Sequence, residues 1–294
     1  MARLALIVLA IGAAVSGCAA QSTPAAPTST SVVATPAPSP TAEPTPRPVP
    51  TAGPFPDGLV TGLHVETDVP YTDPLPCGAG ECTVPLDILA PEDGDAPPTI
   101  VLLPGGPGAF HERRYLETLA TELAQRDAVV FLATYRSEAT GSSADTSMSD
   151  VRCAIRYARS RTGEFGGDPD RLVLVGHSFG SHLALGTAAN ADADADTPGC
   201  LTDAPGNPDA AVGLAGFLFA VDDPADADLS FLLMSGSDDP AAAMGEASAE
   251  ELRLAGFEAE YVELEGIDHF EIVDPGVTPE VVESILEMSE SAGQ

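Results

Sequence analysis

Apolar positions fall into two regimes along residues 55–294 of this chain. Short runs that are apolar at almost every position, 99–103, 128–133 and 171–175, predict strands buried on both faces of a sheet. Between them lie stretches with helical spacing. Leu116, Leu119, Ala120 and Leu123 form one stripe within 115–125, and Val151, Ala154, Ile155 and Ala158 form another within 148–161. Residues 182–189 are rich in Ala and Leu all round and predict a buried helix. Further strands are predicted at 211–219, 229–234 and 258–264, and helices at 241–255 and 279–290. Residues 63–68 and 84–89 alternate, which predicts antiparallel edge strands on either side of a turn at 77–82. Segments 136–147 (polar) and 190–209 (acidic, rich in Pro and Gly) read as loops. Strands alternating with helices imply a mostly parallel sheet covered on both faces.

The first 54 residues follow neither regime. Arg3 precedes an apolar stretch, 4–15, too short to span a bilayer, which needs about 20 residues. Residues 1–17 therefore read as an export signal. Val15-Ser16-Gly17-Cys18 resembles the lipobox of bacterial lipoproteins, and that likeness implies diacylglycerol on Cys18 and an extracytoplasmic, membrane-anchored protein. Residues 18–54 are dominated by Thr, Ser, Pro and Ala, with nine prolines between positions 24 and 50, and are expected to be an extended tether. Residues 55–294 remain for one domain with a real core.

Charge and cysteine content narrow the chemistry. Among the 294 residues, 45 are acidic and 12 basic, for a net charge of −33. Every basic residue is arginine, which excludes Schiff-base, pyridoxal and Walker-type lysine chemistry. So negative a chain is a poor partner for nucleic acid. Apart from Cys18, four cysteines remain, an even number in an exported chain, and they are expected to be disulfide-bonded. Of three possible pairings, Cys77–Cys82 with Cys153–Cys200 is favoured. No histidine stands at zinc spacing from either pair, so neither a metal nor a cofactor is expected.

The candidate chemistry centres on Gly176-His177-Ser178-Phe179-Gly180, between the run 171–175 and the helix 182–189. A serine on such a strand-to-helix turn is a nucleophile elbow. Its base and orienting acid should follow in the order Asp/Glu, then His. Of the five histidines, His269 alone follows the final predicted strand. Asp239 follows the preceding strand in Ser235-Gly236-Ser237-Asp238-Asp239-Pro240, with Asp238 in reserve. An oxyanion needs two N–H donors. Phe179 supplies one, and Pro104-Gly105-Gly106-Pro107-Gly108 should supply the other from Gly105, Gly106 or Gly108, with Gly106 preferred. His111, Glu112, Arg113 and Arg114 either line the mouth or start a solvated helix. His177 and His182 are expected to pack beside the elbow.

These motifs, with Gly166-Gly167-Asp168-Pro169-Asp170-Arg171 ahead of the elbow and Leu86-Asp87-Ile88-Leu89-Ala90-Pro91 ahead of the glycine-rich loop, resemble the α/β-hydrolase superfamily. The likeness is to bacterial carboxylesterases of the hormone-sensitive-lipase-like and dienelactone-hydrolase-like kind and covers roughly residues 84–290. It implies an α/β-hydrolase fold with an eight-stranded sheet. It also implies ester hydrolysis through an acyl-enzyme, with Ser178 as nucleophile, Asp239 as acid and His269 as base. Only about ten residues separate the strands at 211–219 and 229–234, so little or no lid is expected, and short-chain or exposed esters are the expected substrates. Gly105-Gly106-Pro107-Gly108 resembles instead the oxyanion loop of proline iminopeptidases. A peptidase, thioesterase or acyltransferase on the same fold is the second reading, and an inactive binding lipoprotein the third.

Overall fold

Alternation of side chains along each strand sorts the core onto the two faces of one sheet. The computed structural model describes residues 61–106, 112–190, 197–218, 220–221, 224 and 229–292. All belong to the unit Pro48–Gln294. The signal segment, Cys18 and the tether lie outside the described residues, as do Pro107, Gly108 and His111.

The strands are β1 (Leu63–Pro70), β2 (Leu75–Cys77), β3 (Gly80–Cys82), β4 (Pro85–Pro91), β5 (Pro98–Leu103), β6 (Val129–Ala133), β7 (Asp168–His177), β8 (Ala210–Leu214), β9 (Ser230–Gly236) and β10 (Glu258–Leu264). The α-helices are α1 (Glu117–Gln125), α2 (Ala144–Arg161), α3 (Phe179–Ala189), α4 (Ala242–Leu254) and α5 (Pro279–Ser291). Eight strands form the main sheet in the order β1-β4-β6-β5-β7-β8-β9-β10. The β1–β4 and β4–β6 pairs are antiparallel, and every pair from β6 through β10 is parallel. This is the mostly parallel, eight-stranded sheet expected from the sequence. Ile100, Leu102, Val173 and Val175 face a layer formed by α1 and α5, and Val101, Leu103, Leu172 and Leu174 face α2 and α3. Each such side chain, wholly buried, contributes about 1.5–3 kcal/mol. Among the described residues no helix lies between β8 and β9.

Both expected disulfides are present, Cys77–Cys82 across the β2–β3 hairpin and Cys153–Cys200 tying α2 to the loop before β8.

Three elements differ from expectation. β4 is not an edge strand; it pairs on both sides, with β1 and β6, and is buried. Asp87 gives this strand its alternating look, yet it is fully buried because Arg113 meets its charge. α2 starts four residues before 148, where Ser143 accepts a hydrogen bond from the Thr146 N–H and caps it. Two polar residues of its first turns are buried: Ser147 donates to the Arg136 carbonyl, and Asp150 pairs with Arg136. β8 ends at Leu214 because Ala215 takes a left-handed φ of 49°, turning the chain over α3.

Candidate active site

The elbow between β7 and α3 is built by crowding. Ser178 has φ 54° and ψ −118°, a conformation costing on the order of 1–3 kcal/mol for a residue with a side chain. The Ser178 N–H donates to the Leu214 carbonyl at 2.8 Å, which holds the turn against β8. A Cβ on Gly176 would run into the Gly180 carbonyl, and one on Gly180 would lie 2.5 Å from the Pro104 carbonyl oxygen. Only glycine fits at either position. The same closeness presses the glycine-rich loop after β5 against the serine.

His269 reaches this serine from the loop after β10. Asp268 accepts from the N–H groups of Phe270 and Glu271, both at 2.8 Å, where the chain enters the short 3-10 turn Glu271–Val273. Asp268 thus holds the shape of the loop that carries His269. The His269 Nε2 atom lies 2.9 Å from Ser178 Oγ, and Nδ1 lies 2.8 Å from Asp239 Oδ2. Asp239 is buried, and its other oxygen accepts from the Ala241 N–H at 2.8 Å. Asp238 is exposed, and its own N–H donates to the Ile267 carbonyl. Asp239, the first choice, is therefore the carboxylate at His269. Facing that carboxylate, Nδ1 carries the imidazole proton, which leaves Nε2 to accept from the Ser178 hydroxyl. Such an array can take a proton from the serine as it attacks a carbonyl carbon.

Phe179 is the first residue of α3, so its N–H has no acceptor within the helix. Gly106, with φ 80°, has an N–H that no hydrogen bond among the described residues engages. Gly105 is corrected as a donor candidate: its N–H donates to the Tyr115 hydroxyl at 2.6 Å and is not available. The Pro104 carbonyl accepts from the Tyr135 hydroxyl at 2.7 Å, fixing the start of the loop.

Around this core, the sequence left several residues without a firm role. Arg113 is neither a mouth residue nor part of a solvated helix start. It is 1% exposed and gripped by both oxygens of Asp87 at 2.7 and 2.8 Å, with Asp68 as a further partner. It sits in the 3-10 turn Glu112–Leu116 ahead of α1 and anchors the chain that returns from the glycine-rich loop. Glu117 lies 3.7 Å from Arg114, and burial, against a smaller opposing effect of Arg114, raises its carboxyl to about 6. His177 is fully buried, and desolvation, with the nearby His269 adding to it, lowers its pKa to about 4. His182 is lowered to about 4 by burial as well; it packs on Phe179 and hydrogen-bonds the Phe217 backbone. His64 lies away from the site, 3.1 Å from Glu66. Among the described residues no cluster of three His, Cys, Asp or Glu side chains is disposed to hold a metal ion.

The sheet order and the strand-elbow-helix unit at its centre give the chain an α/β-hydrolase fold. The BD-FAE family model matches residues 86–208. A probable isoprenylcysteine α-carbonyl methylesterase of Arabidopsis thaliana is 32% identical over 103 residues, which is 35% of this chain and 21% of that protein. Esterase LipQ of Mycobacterium tuberculosis is 30% identical over 134 residues, 44% of this chain and 31% of that one. The chain thus spans no more than about a third of the length of these curated relatives. In fold it is similar to a propionate-bound esterase of Thermogutta terrifontis, with a TM-score of 0.63 at 21% identity, covering 81% of this chain and 97% of that one.

Proposed function

We propose that the protein is a serine esterase that cleaves carboxylic esters with short or exposed acyl groups. The observation that carries this reading is the continuous array from Ser178 Oγ through His269 to Asp239, with links of 2.9 and 2.8 Å. Similarity to plant methylesterases, to a mycobacterial esterase and to the fold of a bacterial esterase supports the same chemistry.

Ser178 Oγ attacks the ester carbonyl as His269 Nε2 takes its proton, and Asp239 stabilises the resulting imidazolium. The carbonyl oxygen becomes an oxyanion held by the N–H groups of Phe179 and Gly106, a kind of contact worth about 2.7–4 kcal/mol per donor. His269 returns the proton to the departing alkoxide, leaving an acyl-serine. Water, deprotonated by the same histidine, then releases the acid and restores Ser178. No step requires a cofactor.

Hydrolysis of a nitrophenyl ester series and of aminoacyl anilides tests the proposal. Fluorophosphonate should label Ser178, esters should turn over, and Ser178→Ala or His269→Ala should lower kcat by several orders of magnitude. Turnover of anilides alone would favour the peptidase reading suggested by Gly105-Gly106-Pro107-Gly108, and failure of Ser178 to label would leave a binding protein.

We also propose that the mature protein is held at the outer face of the cell membrane through a lipidated Cys18. The short apolar segment before that residue and the two disulfides support an exported protein. Loss of membrane association in a Cys18→Ser chain would support the anchor, and its retention would refute it.

A further inference from the structure

We infer that Tyr115 and His177 form a positioning relay that ties the oxyanion loop to the loop bearing His269, so that donor and base are set by one hydrogen-bonded chain. This inference rests on the esterase reading above. Three bonds join four segments that are far apart in sequence. The Gly105 N–H donates to the Tyr115 oxygen at 2.6 Å. The Tyr115 hydroxyl meets His177 Nδ1 at 2.6 Å, and His177 Nε2 meets the main-chain carbonyl of His269 at 2.8 Å. Gly105 follows β5, Tyr115 lies in the 3-10 turn before α1, His177 ends β7, and His269 follows β10.

The directions of these bonds are forced. A carbonyl only accepts, so His177 Nε2 carries the ring proton and donates it to His269. The fully buried ring is neutral, consistent with its lowered pKa, so Nδ1 is a bare acceptor. Tyr115 must donate to it, and the phenol oxygen accepts from the Gly105 N–H. Each of the three bonds has a donor and an acceptor in place, and such hydrogen-bonded networks rigidify their members. Phe270 packs on both Tyr115 and His177, with ring centroids 6.3 and 5.7 Å apart, and screens the network.

Two consequences bear on catalysis. Holding the Gly105 peptide by its N–H removes that group from oxyanion binding and fixes the orientation of the next peptide, whose N–H is that of Gly106. Holding the His269 carbonyl fixes the backbone from which the imidazole projects. Tyr115 and His177 hold main-chain atoms of Gly105 and His269, and they act through the residues they hold.

The test compares the full chain with its Tyr115→Phe, His177→Gln and doubly substituted forms. Tyr115→Phe deletes one hydroxyl from a partly exposed ring and opens no core cavity. His177→Gln retains a donor for the His269 carbonyl but no ring nitrogen for Tyr115. Active-site titration with fluorophosphonate comes first, then kcat and KM for nitrophenyl acetate, affinity for an alkyl boronic acid that mimics the tetrahedral intermediate, and Tm. Tyr115→Phe should lower kcat about tenfold with KM within about twofold, and weaken boronate binding by a similar factor. The double form should be no slower than the slower single form, because both substitutions cut one chain. Full labelling with kcat within twofold of the parent, or losses that multiply in the double form, would overturn the relay alone. A parent chain that takes up no fluorophosphonate would overturn the esterase reading and the relay with it. Should His177→Gln fail to fold, Tyr115→Phe decides by its kcat and boronate affinity.

Discussion

Acid should destabilise this protein well above the pH at which its carboxylates protonate, because two histidines are buried as neutral rings. His177 is 0% exposed and His182 5%, and burial lowers both to about 4. In the unfolded chain each titrates near 6.5. Between these values the unfolded state binds more protons than the folded one, so stability falls as pH drops through that window. From pH 7 to pH 5 each histidine costs about 2 kcal/mol. Glu117 opposes them: with a folded value of about 6 against 4.5, it binds protons more readily when folded and returns about 1 kcal/mol over the same interval. A net loss of about 2–3 kcal/mol remains, which corresponds to about 5–10 °C in Tm for a domain of this size. Thermal or urea unfolding at pH 7, 6 and 5 measures it. The slope should shrink by about two thirds in His182→Gln, which removes one histidine and leaves the other partly offset by Glu117. A Tm that stays level from pH 7 to 5, or an undiminished slope in that variant, would refute the reasoning.

Three other outcomes follow from the packing. Reducing the Cys153–Cys200 link, which closes a separation of 47 residues, should cost about 4 kcal/mol, against about 2 for Cys77–Cys82 with a separation of 5; paired Cys→Ser variants in urea unfolding check the order. Asp150→Asn strips the buried Arg136 of its counter-charge and should cost about 3–5 kcal/mol, whereas replacing both residues with apolar ones should recover most of that loss. Gly180→Ala drives a methyl group into the Pro104 and Leu103 carbonyls, so it should lower kcat by about 100-fold or more through a displaced oxyanion loop, read by turnover of a nitrophenyl ester.

What the sequence shows and what it hides differ in the length of chain a feature needs. The strands at 99–103 and 128–133 are legible because every residue reports the same thing, burial on both faces. The serine elbow is legible because its glycines are required by atoms only a few positions away, as with Gly176 and the Gly180 carbonyl. The rank of His269 is legible from chain order, since no other histidine follows the last strand. The choice between Asp238 and Asp239 is a matter of one turn, decided by the Asp239 N–H reaching the Gly236 carbonyl and its side chain reaching the Ala241 N–H. Adjacent aspartates in a turn look alike until that geometry exists.

The features that escape are polar pairs buried across long separations. Asp87 meets Arg113 across 26 residues, and Tyr115 meets His177 across 62. Each member, read alone, breaks an apolar pattern or extends a polar one. Asp87 makes β4 look like an edge, and Glu112-Arg113-Arg114 looks like a solvated start of a helix. Asp145, Thr146 and Ser147 make the first turn of α2 look like loop. A buried charge or ring nitrogen is tolerable only with its partner in place, since an unpaired one costs several kcal/mol. Partner and position therefore have to be known together, and no local window holds both. These pairs gather where the chain must hold irregular backbone: Arg113 at the return from the glycine-rich loop, Arg136 just after β6, and His177 beneath the loop of His269. Loops there cannot be fixed by sheet or helix hydrogen bonds, so side chains from distant segments fix them. The least legible residues of the fold are for that reason the ones that set the geometry of its candidate site.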